Sequence, residues 1–213
     1  QTAPRPILEA RLSVQNQPFV LLLCHWKAKQ ADKETTATEF LRRAAARIVV
    51  RRLQELREED PAIPVIIMGD LNENHDEWYR ETRTSITALL PDDPEAAARS
   101  GSLGDFLILS RNKPPTPVYF SAPALGLYSP WGNELHEGSY YYKDNWETID
   151  HFLLTEALFD RIGWDFASCM VINQEPFINA QGRPATYNPR TGNGLSDHLP
   201  LLLILQLAST QDE

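Results

Sequence analysis

Cysteine is nearly absent: the 213-residue chain holds two, Cys24 and Cys169. Each sits in an apolar run, so buried free thiols are the expected state rather than a disulfide staple. No apolar stretch is long enough to span a membrane. The opening Gln1-Thr2-Ala3-Pro4-Arg5-Pro6 lacks the apolar core of a secretion signal. A first residue of Gln rather than Met reads as a processed or cut form, and localisation stays open. Positive charge is in deficit too, with 20 Lys and Arg against 29 Asp and Glu and a net charge of −9. Such a chain has no general attraction for nucleic acid or an anionic membrane, so a phosphate-bearing substrate needs a local cationic site or a bound metal. No G-x-S-x-G elbow occurs, which excludes a serine-hydrolase reading of Ser196 beside His198. Internal repeats and low-complexity segments are also missing.

What is present is an ordinary globular composition, 42% hydrophobic and 23% charged, with one domain over 1–213 as the default. The most informative stretch is Val65-Ile66-Ile67-Met68-Gly69-Asp70-Leu71-Asn72-Glu73-Asn74. A β-branched apolar run stops at a glycine, and a carboxylate and an amide follow. This predicts a buried strand delivering Asp70 and Asn72 into a cleft, two apart and hence on one face. The plainer alternative is a strand followed by an Asx turn, which Gly, Asp and Asn favour anywhere.

Upstream, Ile7 to Val14 alternates as a strand, Asn16-Gln17-Pro18 turns, and Phe19 to Cys24 reads as a strand buried on both faces and ending in His25. Thr36 and Glu39 have capping-box spacing, and Leu41, Ala45, Ile48, Leu53 and Leu56 mark a helix through Arg57. Arg42, Arg43, Arg47, Arg51 and Arg52 read as its solvated face. Strand, helix, strand predicts a crossover that leaves the Cys24 and Met68 strands parallel. Glu73 to Pro130, broken by prolines and with one clear apolar patch at Leu103 to Leu109, reads as a long surface excursion with short elements. An aromatic stretch around Tyr140, Tyr141, Tyr142 and Trp146 precedes a strand, Ile149 to Leu154, that begins at Asp150. A short helix at Glu156 to Phe159, a strand at Cys169 to Ile172, a turn-rich segment and a last strand at Leu199 to Leu205 behind Asp197-His198 complete the chain.

Strand ends thus carry His25, Asp70 with Asn72, Asp150, and Asp197 with His198. An acid–histidine pair with spare carboxylates suits metal-assisted hydrolysis of a phosphate ester, in which a cation neutralises charge and an oriented imidazole takes a proton from water. His151, pointing opposite to Asp150, reads as packing, and His75 and His136 read as solvated loop residues.

CHWKAK, IIMGDLNEN, YYYKDNWETIDHFLL and GLSDHLPLLL, in that order, resemble the endonuclease/exonuclease/phosphatase superfamily, the DNase I-like metal-dependent phosphoesterases. The resemblance runs from about Ile7 to Leu205 and implies an α/β fold: a two-sheet sandwich flanked by helices, incomplete at its N-terminal side. It implies that His198 is the general base or contacts the scissile phosphate, and that Asp150 orients it. Asp197 would bind Mg²⁺ or Mn²⁺, Asp70 and Asn72 would position the nucleophile, and His25 would contact phosphate or donate a proton. Two departures stand out. Cys24 replaces an asparagine common in the family, and the family's opening Asn and Glu motifs are not found, as though the first third were missing.

The implied function is a Mg²⁺-dependent phosphodiesterase acting in the manner of a nuclease, with nucleic acid among its candidate partners. The alternatives are a phosphomonoesterase for a phospholipid or inositol head group, or a catalytically weak fragment or binding module on the same scaffold.

Overall fold

Chain geometry follows the alternation of apolar residues. The computed structural model describes residues 3–29, 38–80, 87–100, 104–120, 125–132 and 135–208. Strand β1, Leu8–Val14, and strand β2, Gln17–His25, form an antiparallel hairpin running from Leu8↔Leu23 to Val14↔Gln17. Gln15 and Asn16, at φ 53° and 61°, make the turn, one residue earlier than expected. Helix α1, Glu39–Glu59, crosses to β3, Val65–Asp70, which pairs parallel to β2 as predicted. Thr36 lies outside the described residues; Thr38 stands at the N-cap, where its hydroxyl donates to the Ala28 carbonyl and accepts no backbone N–H of the helix.

Two readings of α1 are corrected. Ile48 is 48% exposed, while Val49 and Val50 are buried with Leu41, Ala45, Leu53 and Leu56. Arg42, expected in solvent, is buried, because an i, i+3/i+4 stripe on a helix against a sheet has flanks that also touch protein. The exposed positions Arg47 and Arg51 fit the expectation better, although Arg47 pairs with Asp105.

The short elements expected between Glu73 and Pro130 are present, but their surface placement is corrected, since Leu89, Leu90, Phe106, Leu107, Ile108 and Leu127 are buried. Glu73 to Pro130 contains α2 (Glu77–Arg80), β4 (Leu89–Pro91), α3 (Pro94–Arg99), β5 (Leu107–Ser110) and β6 (Gly126–Tyr128). These strands of three or four residues are too short for alternation to register, and the prolines lie mostly between them. After the hairpin β7 (Tyr140–Tyr142) and β8 (Asn145–Glu147) comes β9, Asp150–Leu154. The large mixed sheet has the order β1-β2-β3-β9-β6-β5-β4. A 3-10 turn at Glu156–Leu158 leads on to β10 (Trp164–Val171) and, later, β11 (Leu201–Leu207), an antiparallel pair forming the second layer.

Neighbouring side chains of the central strands part to opposite faces. Val20, Leu22, Ile67 and Leu153 pack with Ala45, Val49 and Leu53 of α1. Phe19, Leu21, Ile66 and Leu154 pack with Phe166, Leu203 and Leu205 of the second layer. This double cover is why both runs read as continuously apolar. Cys24 and Cys169 are free thiols, and burial pushes both up to about 11. Among the described residues no helix is long and apolar enough to cross a membrane.

Candidate active site

Register alone brings three polar side chains together. His25 of β2 pairs with Asp70 of β3, and Asp70 pairs with Asp150 of β9, so residues far apart in sequence stand side by side across three strand ends. Gly69 makes the approach possible: its φ is 124°, and a Cβ there would lie 2.0 Å from the Cys24 carbonyl oxygen. The Trp26 N–H then donates to the Asp70 carbonyl at 2.9 Å and the Leu71 N–H to that of Ile149 at 2.8 Å, which locks the row.

Asn72 reaches the same place by a different route from the one expected. Strand β3 ends at Asp70, and Asn72 is left-handed at φ 51°. Its backbone N–H donates to Asp70 Oδ1 at 2.8 Å, and its Nδ2 donates to Asp70 Oδ2 at 3.0 Å and to the Trp26 carbonyl at 3.1 Å. The plain Asx turn and the site are therefore one object.

His198 arrives from the loop before β11. Its Nδ1 lies 2.7 Å from Asp150 Oδ2, its backbone forms an isolated antiparallel bridge to Tyr140, and its ring stacks on Tyr140 with centroids 4.6 Å apart. With Nδ1–H donating to the carboxylate, Nε2 is the nitrogen left to take a proton. Burial pulls the imidazole down, but the Asp150 hydrogen bond and the charges of Asp150, Asp70 and Asp197 outweigh it, so His198 titrates above its ordinary value. Asp70 is also raised, by burial first and by the Asp150 charge second. His25 Nε2 lies 3.6 Å from Asp70 Oδ2, and the ring is largely exposed. Cys24 is buried in the apolar core on the α1 side, so the residue at 24 does not reach this row.

Asp197 is exposed beside His198. A divalent cation needs several oxygen ligands at once. Among the described residues no three His, Cys, Asp or Glu side chains converge as a cation site. Asp70 engages Asn72 through both oxygens, and Asp150 Oδ2 holds His198 and Ser139. The described side chains do not by themselves fit a metal, and no chemical step is assigned to one.

His151 is buried as expected, its Nε2 donating to the Glu73 carbonyl at 2.8 Å, and burial lowers it to about 4. The reading of His75 and His136 as solvated is corrected. His75 Nδ1 meets the Thr148 hydroxyl at 2.9 Å and its ring stacks on Trp131, while His136 Nδ1 meets the Gly138 carbonyl at 2.8 Å. Ser196 accepts the His198 backbone N–H and is no nucleophile of a triad.

Residue-by-residue reading missed a buried network beneath the Asp70–Asn72 turn. Arg42 donates to Glu73 Oε2 at 3.2 Å and Glu39 Oε2 at 2.6 Å, and Lys29 pairs with Glu77 at 2.5 Å. Asn74 bridges Glu77 and Glu147. Its only signal in the sequence was an excess of Glu directly after the turn. Ser139 gave none, and Tyr140 only its place in the aromatic stretch.

No family model matches the sequence, and no curated protein does. Solved structures do. A humanized TDP2 of D. rerio carrying 14 mutations is similar over 94% of this chain and 60% of that one, with 15% identity and a TM-score of 0.52. A mannosyl-6-phosphatase of Bacteroides thetaiotaomicron has 13% identity, covers 91% of this chain and 53% of that one, and gives a TM-score of 0.45. An endonuclease/exonuclease/phosphatase family protein of Leptotrichia buccalis has 11% identity, covers 94% and 53%, and gives 0.43. The chain spans about 60% or less of the length of these proteins. Across a seven-stranded mixed sheet backed by a second layer, the chain shares its overall fold with the TDP2 structure.

Proposed function

We propose that this chain hydrolyses phosphate esters, as a phosphodiesterase acting in the manner of a nuclease. The observation that carries the reading is the Asp150–His198 contact at 2.7 Å, set beside the Asp70–Asn72 turn. Asp150 keeps the proton on Nδ1, and His198 Nε2 takes one from a water that attacks the phosphorus in line. Asp70 and the Asn72 side-chain oxygen orient that water by accepting its other hydrogen. His25, open to solvent at the end of the row, contacts the phosphate or supplies the leaving oxygen with a proton.

The preference for a nucleotide substrate rests on aromatics. Tyr140 and Tyr142 stack at 6.0 Å with an interplanar angle of 13°, next to His198, and Tyr142 is 40% exposed. Such a row offers a face to a base, with sequence-tolerant stacking of about 1–3 kcal/mol per base. Lys143 and Arg183 beside Tyr142 and Tyr141 are the cations near that row, in a chain whose net charge repels phosphate. Dependence on Mg²⁺ or Mn²⁺, with Asp197 as a ligand, belongs to the same proposal. It requires ligands beyond the described residues.

A substrate panel with and without Mg²⁺ tests the reading: a single-stranded oligonucleotide, bis(p-nitrophenyl) phosphate, p-nitrophenyl phosphate and an inositol phosphate. Turnover of the two diesters above the monoesters, with Y142A weakening only the oligonucleotide, is the expected pattern. A preference for either monoester would overturn the diesterase assignment, and equal loss on both diesters in Y142A would remove the stacking role.

A further inference from the structure

We propose that Ser139 is a positioning residue of this site, its hydroxyl fixing the Asp150 carboxylate that orients His198. The inference rests on the role assigned to Asp150 and His198 above. Ser139 is fully buried, and its Oγ lies 2.6 Å from Asp150 Oδ2, the same oxygen that accepts His198 Nδ1. An ionised carboxylate only accepts, so the hydroxyl donates, at the length of a charge-assisted O–H···O⁻ bond.

The serine itself cannot drift. Its N–H donates to the Glu147 carbonyl at 3.0 Å, and its own carbonyl accepts the Leu199 N–H at 2.7 Å. Gly138 just before it lies so near Glu147 that a Cβ would come within 2.6 Å of that carbonyl oxygen. One residue therefore ties the β7–β8 hairpin, the first residue of β9 and the segment carrying His198. Asp150 is the opening residue of its strand, and its side chain is partly open to water. A carboxylate there with one partner is free to turn about its last torsion, which is broad. The second donor on the same oxygen holds it in the one orientation that keeps Nδ1–H bonded. Tyr140, stacked on the imidazole, limits tilt of the ring but cannot set the carboxylate.

The competing explanation is that a small residue is simply needed there for packing. Two variants separate the explanations: S139A removes the hydroxyl, and S139C fills its space with a weak donor. Each is read by turnover on a phosphodiester and by the imidazole ¹H–¹⁵N spectrum, where a bonded His198 Nδ1–H gives a resolved downfield proton. Both variants should lose kcat on the order of tenfold, with KM within about twofold, as expected for loss of a hydrogen bond to a charged group. Both should also broaden the Nδ1–H signal through exchange with water, while near-UV circular dichroism stays native. A sharp, unshifted signal in either folded variant overturns the proposal, and so does wild-type kcat in S139C. D150N is the control for the underlying reading: if it leaves turnover unchanged, the role of the Asp150–His198 pair fails, whereas the spectra of the Ser139 variants still decide whether the hydroxyl holds the carboxylate.

Discussion

Replacing Arg42 with Met should cost about 3–5 kcal/mol of stability, the usual penalty for removing one partner of a buried ion pair. Arg42 is 1% exposed and Glu73 is 0% exposed. The guanidinium donates to Glu73, Glu39, the Thr38 hydroxyl and the Lys27 carbonyl, at 3.2, 2.6, 2.9 and 3.1 Å. Met fills much of the aliphatic stem, so packing changes little and the loss falls on the stranded carboxylates. Burial and the Glu39 charge already push Glu73 above the usual carboxylate range, against the pull of Arg42. Without Arg42 the group takes up a proton more readily, which caps the loss at low pH. The deficit should therefore grow with pH, and urea unfolding at about pH 6 and about pH 9 would display it. The double variant R42M/E73M should recover part of the loss, since a hydrophobic replacement of a buried pair is often close to neutral. The Glu73 carbonyl accepts His151 and its side chain holds the Leu89 N–H, so loosening it should also reduce turnover through the neighbouring Asp70–Asn72 turn. A deficit below about 1 kcal/mol at both pH values would refute this account of the buried network.

Gly69→Ala combines a φ of 124° with a Cβ 2.0 Å from the Cys24 carbonyl oxygen, so it should cost at least roughly 3 kcal/mol or prevent folding; a thermal melt close to wild type would show that β2 and β3 can part cheaply. His151 stays neutral to about pH 4 when folded, against about 6.5 unfolded, so the unfolded chain binds more protons in that window. Its contribution is fully present above 6.5 and is lost as pH falls toward 4, by about 3 kcal/mol; H151Q, followed by urea unfolding across that range, should flatten this slope, and an unchanged slope would show that His151 is not its source.

The central strands were legible because burial on both faces leaves a plain apolar signature, as at Phe19 to Cys24 and Val65 to Met68. Their polar ends were legible for the same reason: Asp70 and Asp150 interrupt or open such runs. What sequence could not give was register, and it is register that sets His25, Asp70 and Asp150 in one row. Asn72 joins them through a left-handed turn, where strand periodicity no longer applies. The three strands between Glu73 and Pro130 span at most two alternations each, too few to stand out among the prolines. Arg42 looked like its neighbours Arg43 and Arg47 because composition along a helix does not reveal which flank meets buried glutamates. Ser139 carries no motif at all; only the path of the β7–β8 hairpin brings its hydroxyl to Asp150.

The double-mutant cycle on His198 and Asp150 tests the central claim most directly. With a phosphodiester substrate, H198A should lower kcat/KM on the order of a hundredfold or more, and D150N should also be severe because it removes the charge that keeps the proton on Nδ1. In D150N the rise of activity with pH should move to lower pH, since Asp150 holds the His198 titration above its ordinary value. The account predicts that H198A/D150N is little worse than H198A alone, the two residues acting as one unit. Losses that multiply in full, or an H198A variant as active as wild type, would contradict it.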